Sequence, residues 1–431
     1  MHIMNHHLAH AYATFYSSGF DSAAVLIVDG RGSRKETQSL YRASLDRGME
    51  LIESTTEIGI GLMYATMTQA CGFKLLEEGK TMGLAPYGAN QPGPIMTFSK
   101  KYDGLTTDYS DVCVAGSYDL KSEIEDVDSF DRRARLAYEV QNECEEAYLH
   151  LVRYAHEKTG EDRLCLSGGV ALNSVANYKV LRSGVFQEIF INPAASDTGI
   201  PLGAALYGFH HLLEQPKNYD TISPYVGPAY NTERVVSAID SFEGYRVVEE
   251  DAQIEAARWL AANKIVGHFS SRSEMGPRAL GNRSILMSPL VAENKDVLNA
   301  RVKFREEFRP FAPVVLEERR EEYFVLDRPS PYMLLVADIR QEKRAEIPAV
   351  THVDGTGRVQ TVSREFNPPF YTLIERFCQA TGTPVILNTS FNVAGEPIVE
   401  SPEDAIRCFL STDIDALLIE DRLLVKDGRS I

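Results

Sequence analysis

The chain begins MHIMNHHLAHAYATF, and His2, His6, His7 and His10 are four of its 10 histidines. His6 and His10 lie four residues apart. On a helix that spacing stacks two imidazoles on one face, about 5–6 Å apart at Cβ, where they can share one metal ion. Asn5 is a favoured N-cap residue, and AHAYATF continues without Gly or Pro. No glutamate follows the first histidine of the pair, so the zinc-protease motif is not matched. On the pair alone, a solvated helix end or a remnant of an expression tag competes with metal ligation. Further ligands have to come from elsewhere in the chain.

Two carboxylates occupy suitable places. SAAVLIVDGRG (Ser22–Gly32) is an apolar run closed by Asp29-Gly30, which predicts a buried strand with a carboxylate at its C-terminal end. EIFINPAASDTGIPLGAAL (Glu188–Leu206) predicts a strand, a small-residue turn carrying Asp197, and a tightly packed helix. Between them, RLCLSGGVALN (Arg163–Asn173) reads as a strand, a Gly168-Gly169 turn and a helix start. Such a turn lets a nucleotide approach the backbone. Taken singly, Asp29 reads as a turn residue, Asp197 as a helix N-cap and the paired glycines as a tight turn. Taken together, two His and two Asp gather at sheet edges beside a glycine turn, since α/β sheets collect ligands at strand C-termini. That donor set suits Fe(II), Mn(II) or Zn(II), with Fe(II) favoured where coordination positions stay open.

The second half concentrates cations among small residues. VGHFSSRSEMGPRALGNRSIL (Val266–Leu286) carries Arg272, Arg278 and Arg283, and NARVKFREEFRPFAPVV (Asn299–Val315) carries Lys303, Arg305 and Arg309. DGTGRVQTV (Asp354–Val362) places Arg358 in strand-like alternation, and PVILNTSFNVAGEPIV (Pro384–Val399) is a buried strand ending in Thr389, Ser390 and Asn392. These read as pieces of one anion site, with Arg and Lys neutralising a phosphate and Ser and Asn fixing its oxygens. The competing reading, a solvated charged face, fits Arg278 and Arg358 poorly because small or apolar residues surround them.

At 431 residues, 44% hydrophobic and 24% charged, the chain reads as a globular protein of more than one domain. A formal charge of −17 argues against bulk nucleic-acid binding. No apolar run of about 18 residues predicts a membrane span, and no secretory signal is legible. The 6 cysteines are scattered without a CxxC, as expected of a cytoplasmic protein. EQPKNYDTISPYVGPAYN (Glu214–Asn231) holds three prolines and little apolar periodicity. It predicts a linker over 216–234 between domains at 1–215 and 235–431.

HHLAHAYATFYSSGF, AAVLIVDG, GKTMGLAPYG (Gly79–Gly88), LSGGVALNSVAN, EMGPRALGNRSIL, HVDGTGRVQTV and NTSFNVAGEPIV resemble, in order, the motifs of the NodU/CmcH family of O-carbamoyltransferases. The resemblance covers essentially the whole chain. It implies an α/β fold with an actin/hexokinase-like (ASKHA) N-terminal domain, similar to that of the tRNA threonylcarbamoyl transferases, and a YrdC-like C-terminal domain. The YrdC signature Lys-x-Arg…Ser-x-Asn is present as Lys303, Arg305, Ser390 and Asn392. Matching positions imply that Arg278, Lys303, Arg305, Arg309, Arg358, Ser390 and Asn392 hold carbamoyl phosphate and ATP, with Lys303, Arg358 and Arg278 catalytic. They further imply that His6, His10, Asp29 and Asp197 hold a divalent iron, and that Gly168, Gly169 and Asn173 hold the nucleotide of an adenylate. His7 matches no ligand position.

The implied activity has two steps: carbamoyl phosphate and ATP give carbamoyl-adenylate, and a hydroxyl of a small molecule then takes the carbamoyl group. Sugars, natural products and modified nucleosides are all conceivable acceptors. Magnesium as the companion of ATP and a homodimer are further expectations. In the family a segment of about a hundred residues, the size of a small domain, precedes the first histidine motif. It includes a His-Asp-x-x-Ala-like motif serving the transfer step. The resemblance therefore implies a first domain incomplete at its N-terminus, a chain limited to the activating step, or a separate chain supplying the missing segment. Three other readings compete. A tRNA threonylcarbamoyladenosine enzyme shares both domain types, but the acidic charge and the GPRALGNRS block speak against it. An actin-like sugar kinase needs no YrdC signature. A non-catalytic scaffold is motivated only by the absent segment.

Overall fold

In a computed structural model the apolar runs resolve into an α/β protein with mixed sheets. The structure describes residues 3–430 except 126 and 249. The chain forms two compact units, Met1–Ile222 and Ser223–Ile431. Among the described residues no helix is long and apolar enough to cross a membrane.

In the first unit α1 (His6–Ser17) precedes β1 (Ser22–Val28), β2 (Gln38–Ser44) and β3 (Gly48–Thr55). Next come α2 (Ile60–Ala70), α3 (Glu78–Gly88), a hairpin of β4 (Lys101–Asp103) and β5 (Thr106–Asp108), and α4 (Phe130–Thr159). The unit continues with β6 (Arg163–Ser167), α5 (Ser174–Arg182), β7 (Glu188–Ile191) and α6 (Ile200–Tyr207). Its main sheet has the order β3-β2-β1-β6-β7. β1 is antiparallel to β2 and parallel to β6, and β6 is parallel to β7. The C-terminal ends of β1, β6 and β7 therefore share one edge, with Ile27 opposite Ser167. Residues 23–28 are wholly buried, which explains the unbroken apolar run of this central strand.

Helix α1 starts where Asn5 Oδ1 accepts from the Leu8 N–H at 3.0 Å. Its Tyr12, Phe15 and Tyr16 share a core with Val25 and Ile27 of β1 and Leu206 of α6. The approach of α1 to α6 depends on Gly203. A Cβ there would lie 1.9 Å from the Ala9 carbonyl oxygen, so no larger residue permits this contact. The contact brings the turn ahead of α6, with Asp197, to the first turns of α1.

The second unit runs through α7 (Thr232–Asp240), β8 (Tyr245–Val247), α8 (Ala252–Ala261), β9 (Val266–Phe269), β10 (Arg283–Met287) and α9 (Asn294–Leu298). It continues with β11 (Ala312–Leu316), α10 (Arg320–Tyr323), β12 (Leu335–Asp338), β13 (Thr356–Val362) and α11 (Pro368–Thr381). It closes with β14 (Val385–Ser390), α12 (Pro402–Ser411), β15 (Ala416–Ile419) and β16 (Arg422–Lys426). One mixed sheet carries the order β12-β13-β11-β14-β10-β9-β15-β16-β8. Trp259 and Leu260 of α8 and Phe370, Ile374 and Phe377 of α11 bury the apolar face of this sheet at Val314 and Ile386.

The segment expected as a linker over 216–234 divides differently. Residues 223–231 are tied to the second unit. The Met275 N–H donates to Pro224 O at 2.8 Å, the Gly227 N–H to Ser273 O at 3.0 Å, and the Tyr225 hydroxyl to Leu280 O at 3.0 Å. The prolines mark irregular backbone, and that backbone is anchored through hydrogen bonds to the loop after β9.

Candidate functional site

At the shared strand edge of the first unit, His6 and His10 of α1 meet Asp29, just past β1, and Asp197. One ligand atom from each lies within 4.8 Å of all the others. His6 Nε2 is 3.1 Å from Asp29 Oδ2 and 3.3 Å from Asp197 Oδ1, and His10 Nε2 is 3.6 Å from each of these oxygens. Hydrogen bonding fixes the His10 tautomer. The Ser167 hydroxyl donates to Ala195 O at 3.1 Å, so its oxygen accepts from the His10 Nδ1–H at 3.1 Å. The Nε2 lone pair then points at two carboxylates, buried and without a hydrogen-bond partner. Acceptors facing acceptors call for a cation between them. Burial lowers the affinity of His10 for a proton, but the neighbouring carboxylates of Asp197 and Asp29 outweigh it and raise its pKa. Burial would raise Asp29, but His10 and His6 overcome that and hold its carboxyl far below the usual range. The Asp197 side chain is 74% exposed, so the cluster opens to solvent on that side. His7 is buried elsewhere, with Nδ1 at 2.7 Å from Ser39 Oγ.

The glycine turn serves this cluster. Gly168 has φ +92°, and a Cβ there would lie 2.3 Å from Val28 O. Its N–H donates to Ala195 O at 2.8 Å, and the Gly169 N–H donates to Asp29 Oδ1 at 3.0 Å. These two donors hold β1, the turn after β7 and Asp29 in place. Asn173 is also committed. Its Oδ1 caps α5 through the Ala176 N–H at 3.1 Å, and its amide exchanges hydrogen bonds with Gln141 at 3.0 and 3.1 Å.

In the second unit the cations gather as a set. Lys303 Nζ donates to Ser390 O and Asn392 O at 3.0 and 2.8 Å and lies 2.8 Å from Asn392 Oδ1, while Ser390 Oγ donates to the same Oδ1 at 2.7 Å. Arg305 stacks 4.3 Å over Phe311. The Nε atoms of Arg278, Arg305 and Arg358 are buried without an acceptor. Burial, and then Arg278, Arg305 and Arg309, push Arg358 well below the usual guanidinium range. Burial and Arg309 push Arg278 down to about 10 and Arg305 to about 9. Burial and Arg305 push Lys303 down to about 7. Arg309 faces a carboxylate at ion-pair range, Glu306 at 3.7 Å. Guanidinium groups keep their protons, so the falls reflect like charges gathered away from water with too few anions among them.

Four features escaped the sequence reading. Arg283, grouped there with the anion site, is fully buried. Its guanidinium lies 3.7 Å over Phe269 and donates to Ser270 O and Asn282 O, both at 2.9 Å, so it braces the backbone instead. Glu274 Oε1 accepts from the N–H groups of Leu280, Asn282 and Arg283 at 2.8, 2.7 and 3.2 Å, which folds the loop carrying Arg278. Gln360 of β13 and Asn388 of β14 hold the same loop through Leu280 O and Ala279 O at 2.7 and 3.2 Å. The fourth is His352, whose only legible signal is the Asp354-Gly355 turn that sets it opposite Thr356.

Residues 1–206 match the family model described as carbamoyltransferase N-terminus, and residues 257–426 match carbamoyltransferase C-terminus. The uncharacterized protein sll1178 of Synechocystis sp. is 38% identical over 98% of this chain and 76% of its own length. Nodulation protein NolNO of Sinorhizobium fredii is 38% identical over 98% of this chain and 64% of its own. Nodulation protein NolO of Bradyrhizobium diazoefficiens is 36% identical over 99% of this chain and 80% of its own. Both units are matched, and the identity runs through nearly the whole chain: the protein belongs to the carbamoyltransferase family and is an enzyme that transfers carbamoyl groups.

Proposed function

We propose that the second unit, read as YrdC-like, activates carbamoyl phosphate with ATP, and that the first, read as actin/hexokinase-like, passes the carbamoyl group to a hydroxyl of a small molecule. The observation that carries this reading is the set of Arg278, Lys303, Arg305, Arg309 and Arg358, in which three buried guanidinium Nε atoms lack acceptors. A multiply charged phosphate supplies those acceptors. In the activating step, water converts carbamoyl phosphate to carbamate and inorganic phosphate. A carbamate oxygen then bonds the α-phosphorus of ATP as pyrophosphate leaves. Arg358 and Arg278 neutralise the phosphoryl oxygens, and Lys303, braced by Ser390 and Asn392, supplies a further positive donor. In the transfer step, the acceptor oxygen bonds the carbamoyl carbon as AMP leaves with the bonding pair, and the hydroxyl proton passes to solvent.

His6, His10, Asp29 and Asp197 fit a divalent ion such as Fe(II). Their His–Asp distances of 3.1–3.6 Å approach the roughly 3.0–3.4 Å expected between ligands each about 2.1 Å from one ion, all four atoms lie within 4.8 Å of one another, and the buried His10 Nε2 lacks any other partner. Such an ion supplies Lewis-acid polarisation of a carbamoyl carbonyl. The chain's own part is to hold His10 in one tautomer through Ser167 and to fix Asp29 through Gly169. The test is carbamoyl-phosphate-dependent release of pyrophosphate and AMP, measured beside bound metal. Arg358→Ala is expected to lower release at least a hundredfold, because loss of a buried charge partner costs about 3–5 kcal/mol, and Arg358→Lys is expected to fail as well because a point charge does not replace a guanidinium fork. His6→Ala or Asp197→Ala is expected to lose bound metal while phosphate release from carbamoyl phosphate persists. Near-normal release by Arg358→Lys refutes the phosphate role, and full metal occupancy in His6→Ala refutes the metal role.

A further inference from the structure

Every side chain so far placed at the anion set of the second unit is a donor or is already committed. Carbamoyl phosphate presents acceptors at its phosphoryl and carbonyl oxygens, but its –NH2 group is a donor and needs an acceptor. Among the buried acceptors left without a partner, Asn388 Oδ1 belongs to an amide whose NH2 is tied to Ala279 O and Gln360 Oε1, and His352 Nε2 belongs to a ring set against the same strand as Arg358. β13 alternates, so Thr356, Arg358 and Gln360 share a face, and Gln360 on that face reaches the loop of Arg278. The Gly355 N–H closes on His352 O, and the His352 N–H donates to Thr356 O, both at 2.9 Å. The His352 ring thereby meets the Thr356 hydroxyl, with Nδ1 at 3.0 Å from Oγ1.

The tautomer follows from counting protons. Thr356 Oγ1 lies 2.7 Å from Asp354 Oδ1, so the single hydroxyl proton points at the carboxylate. The hydroxyl oxygen therefore accepts from His352 Nδ1–H, and Nε2 carries a lone pair. That atom is buried and has no hydrogen-bond partner. Burial lowers the His352 pKa to about 4, and Arg358 and Lys295 press in the same direction against the opposing pull of Asp354, so the ring is neutral at neutral pH. Arg358 registers electrostatically at the ring, as expected of a group on the same face.

We propose that His352 Nε2 accepts a hydrogen bond from the carbamoyl –NH2 and so selects carbamoyl phosphate over acyl phosphates that lack an N–H. Asp354 and Thr356 act as positioning residues that lock the ring in the accepting tautomer. The proposal rests on the reading of the second unit as the carbamoyl phosphate site. A site built to accept an N–H discriminates against an isostere without one, because the buried lone pair is then left unmet. Acetyl phosphate is such an isostere, with a methyl in place of the amino group.

The test is calorimetric titration of the full chain with freshly dissolved carbamoyl phosphate, acetyl phosphate and inorganic phosphate. The wild-type chain is expected to bind carbamoyl phosphate about tenfold more tightly than acetyl phosphate. In His352→Phe that ratio falls to near one while inorganic phosphate binds within about twofold of wild type, which also reports that the unit is folded. Thr356→Val leaves the imidazole in place but frees its tautomer, so it reduces the ratio without altering inorganic phosphate binding. A merely structural histidine would change all three affinities together. Retention of the full ratio in either variant overturns the proposal. Failure of the wild-type chain to bind any of the three ligands overturns the anion-site reading itself, and the proposal with it.

Discussion

Lys303 is 5% exposed and sits among guanidinium groups, yet four oxygens of Ser390 and Asn392 surround its Nζ. Those oxygens favour the ammonium, while burial and Arg305 win and bring the group down to about 7. Two opposite pH trends follow. An unfolded lysine titrates near 10.4, so between about 7 and that value the unfolded chain holds the proton and the folded chain does not. Over this window the contribution of Lys303 to stability rises with pH. A bound dianion pulls the proton back on, so anion affinity is full below about pH 7 and falls as pH rises through the same window, by at most about tenfold per pH unit. Sulfate is the appropriate probe because its charge is constant there. Calorimetric titration from pH 6 to about 9 is expected to show this fall, and Lys303→Gln is expected to flatten it. A sulfate affinity independent of pH in the wild-type chain would mean that Lys303 does not titrate in this range.

Among the elements, the placement of Asp197 depends on the contact between α1 and α6 as well as on the hydrogen bonds that Ala195 O accepts from Ser167 and Gly168. Gly203→Ala places a methyl group 1.9 Å from Ala9 O, against backbone that cannot rotate away. The helices must separate, at a cost of about 1–3 kcal/mol for an overpacked core, and Asp197 must retreat from His6 and His10. The expected result is a lower melting temperature together with reduced bound metal; Ala204→Ser on the exposed side of α6 is expected to change neither. Unchanged metal content in Gly203→Ala would show that Asp197 is held by other contacts. Such elements differ in how far their sequences announce them. The Asn5 cap, the His6–His10 spacing and the strand leading to Asp29 follow from local rules, because each depends on neighbours within a few residues. The commitment of the Gly168 and Gly169 N–H groups does not, since it depends on which strands lie side by side. Arg283 misleads for the same reason. It stands in an arginine-rich block with glycines and serines that suits a ligand, but its hydrogen-bond partners include carbonyls brought in by the loop after β9. His352 is silent in sequence because its role depends on a proton count through Thr356 and Asp354.

At the scale of the whole molecule, a net charge of −17 repels phosphates at long range, but that field decays within about 8–10 Å at physiological salt. Anion binding is therefore decided by the local cation set, and that set depends on where the second unit begins. A boundary at residue 235, as proline content and periodicity imply, removes Pro224, Tyr225 and Gly227. Their three hydrogen bonds hold Ser273, Met275 and Leu280, the residues flanking Arg278. At roughly 0.5–1.5 kcal/mol each, their loss loosens the Arg278 loop without removing any cation. A fragment of residues 223–431 is expected to bind inorganic phosphate within about twofold of the full chain and to ignore chelators, since the metal cluster lies in the other unit. A fragment of residues 235–431 keeps Lys303, Arg305, Arg309 and Arg358 but is expected to bind about tenfold or more weakly, because the loop must be ordered at the expense of binding energy. Calorimetric titration of both fragments beside the full chain makes the comparison. Equal affinity of the two would show that residues 223–231 contribute nothing to the arginine loop and that the anion site is organised from residue 235 onward.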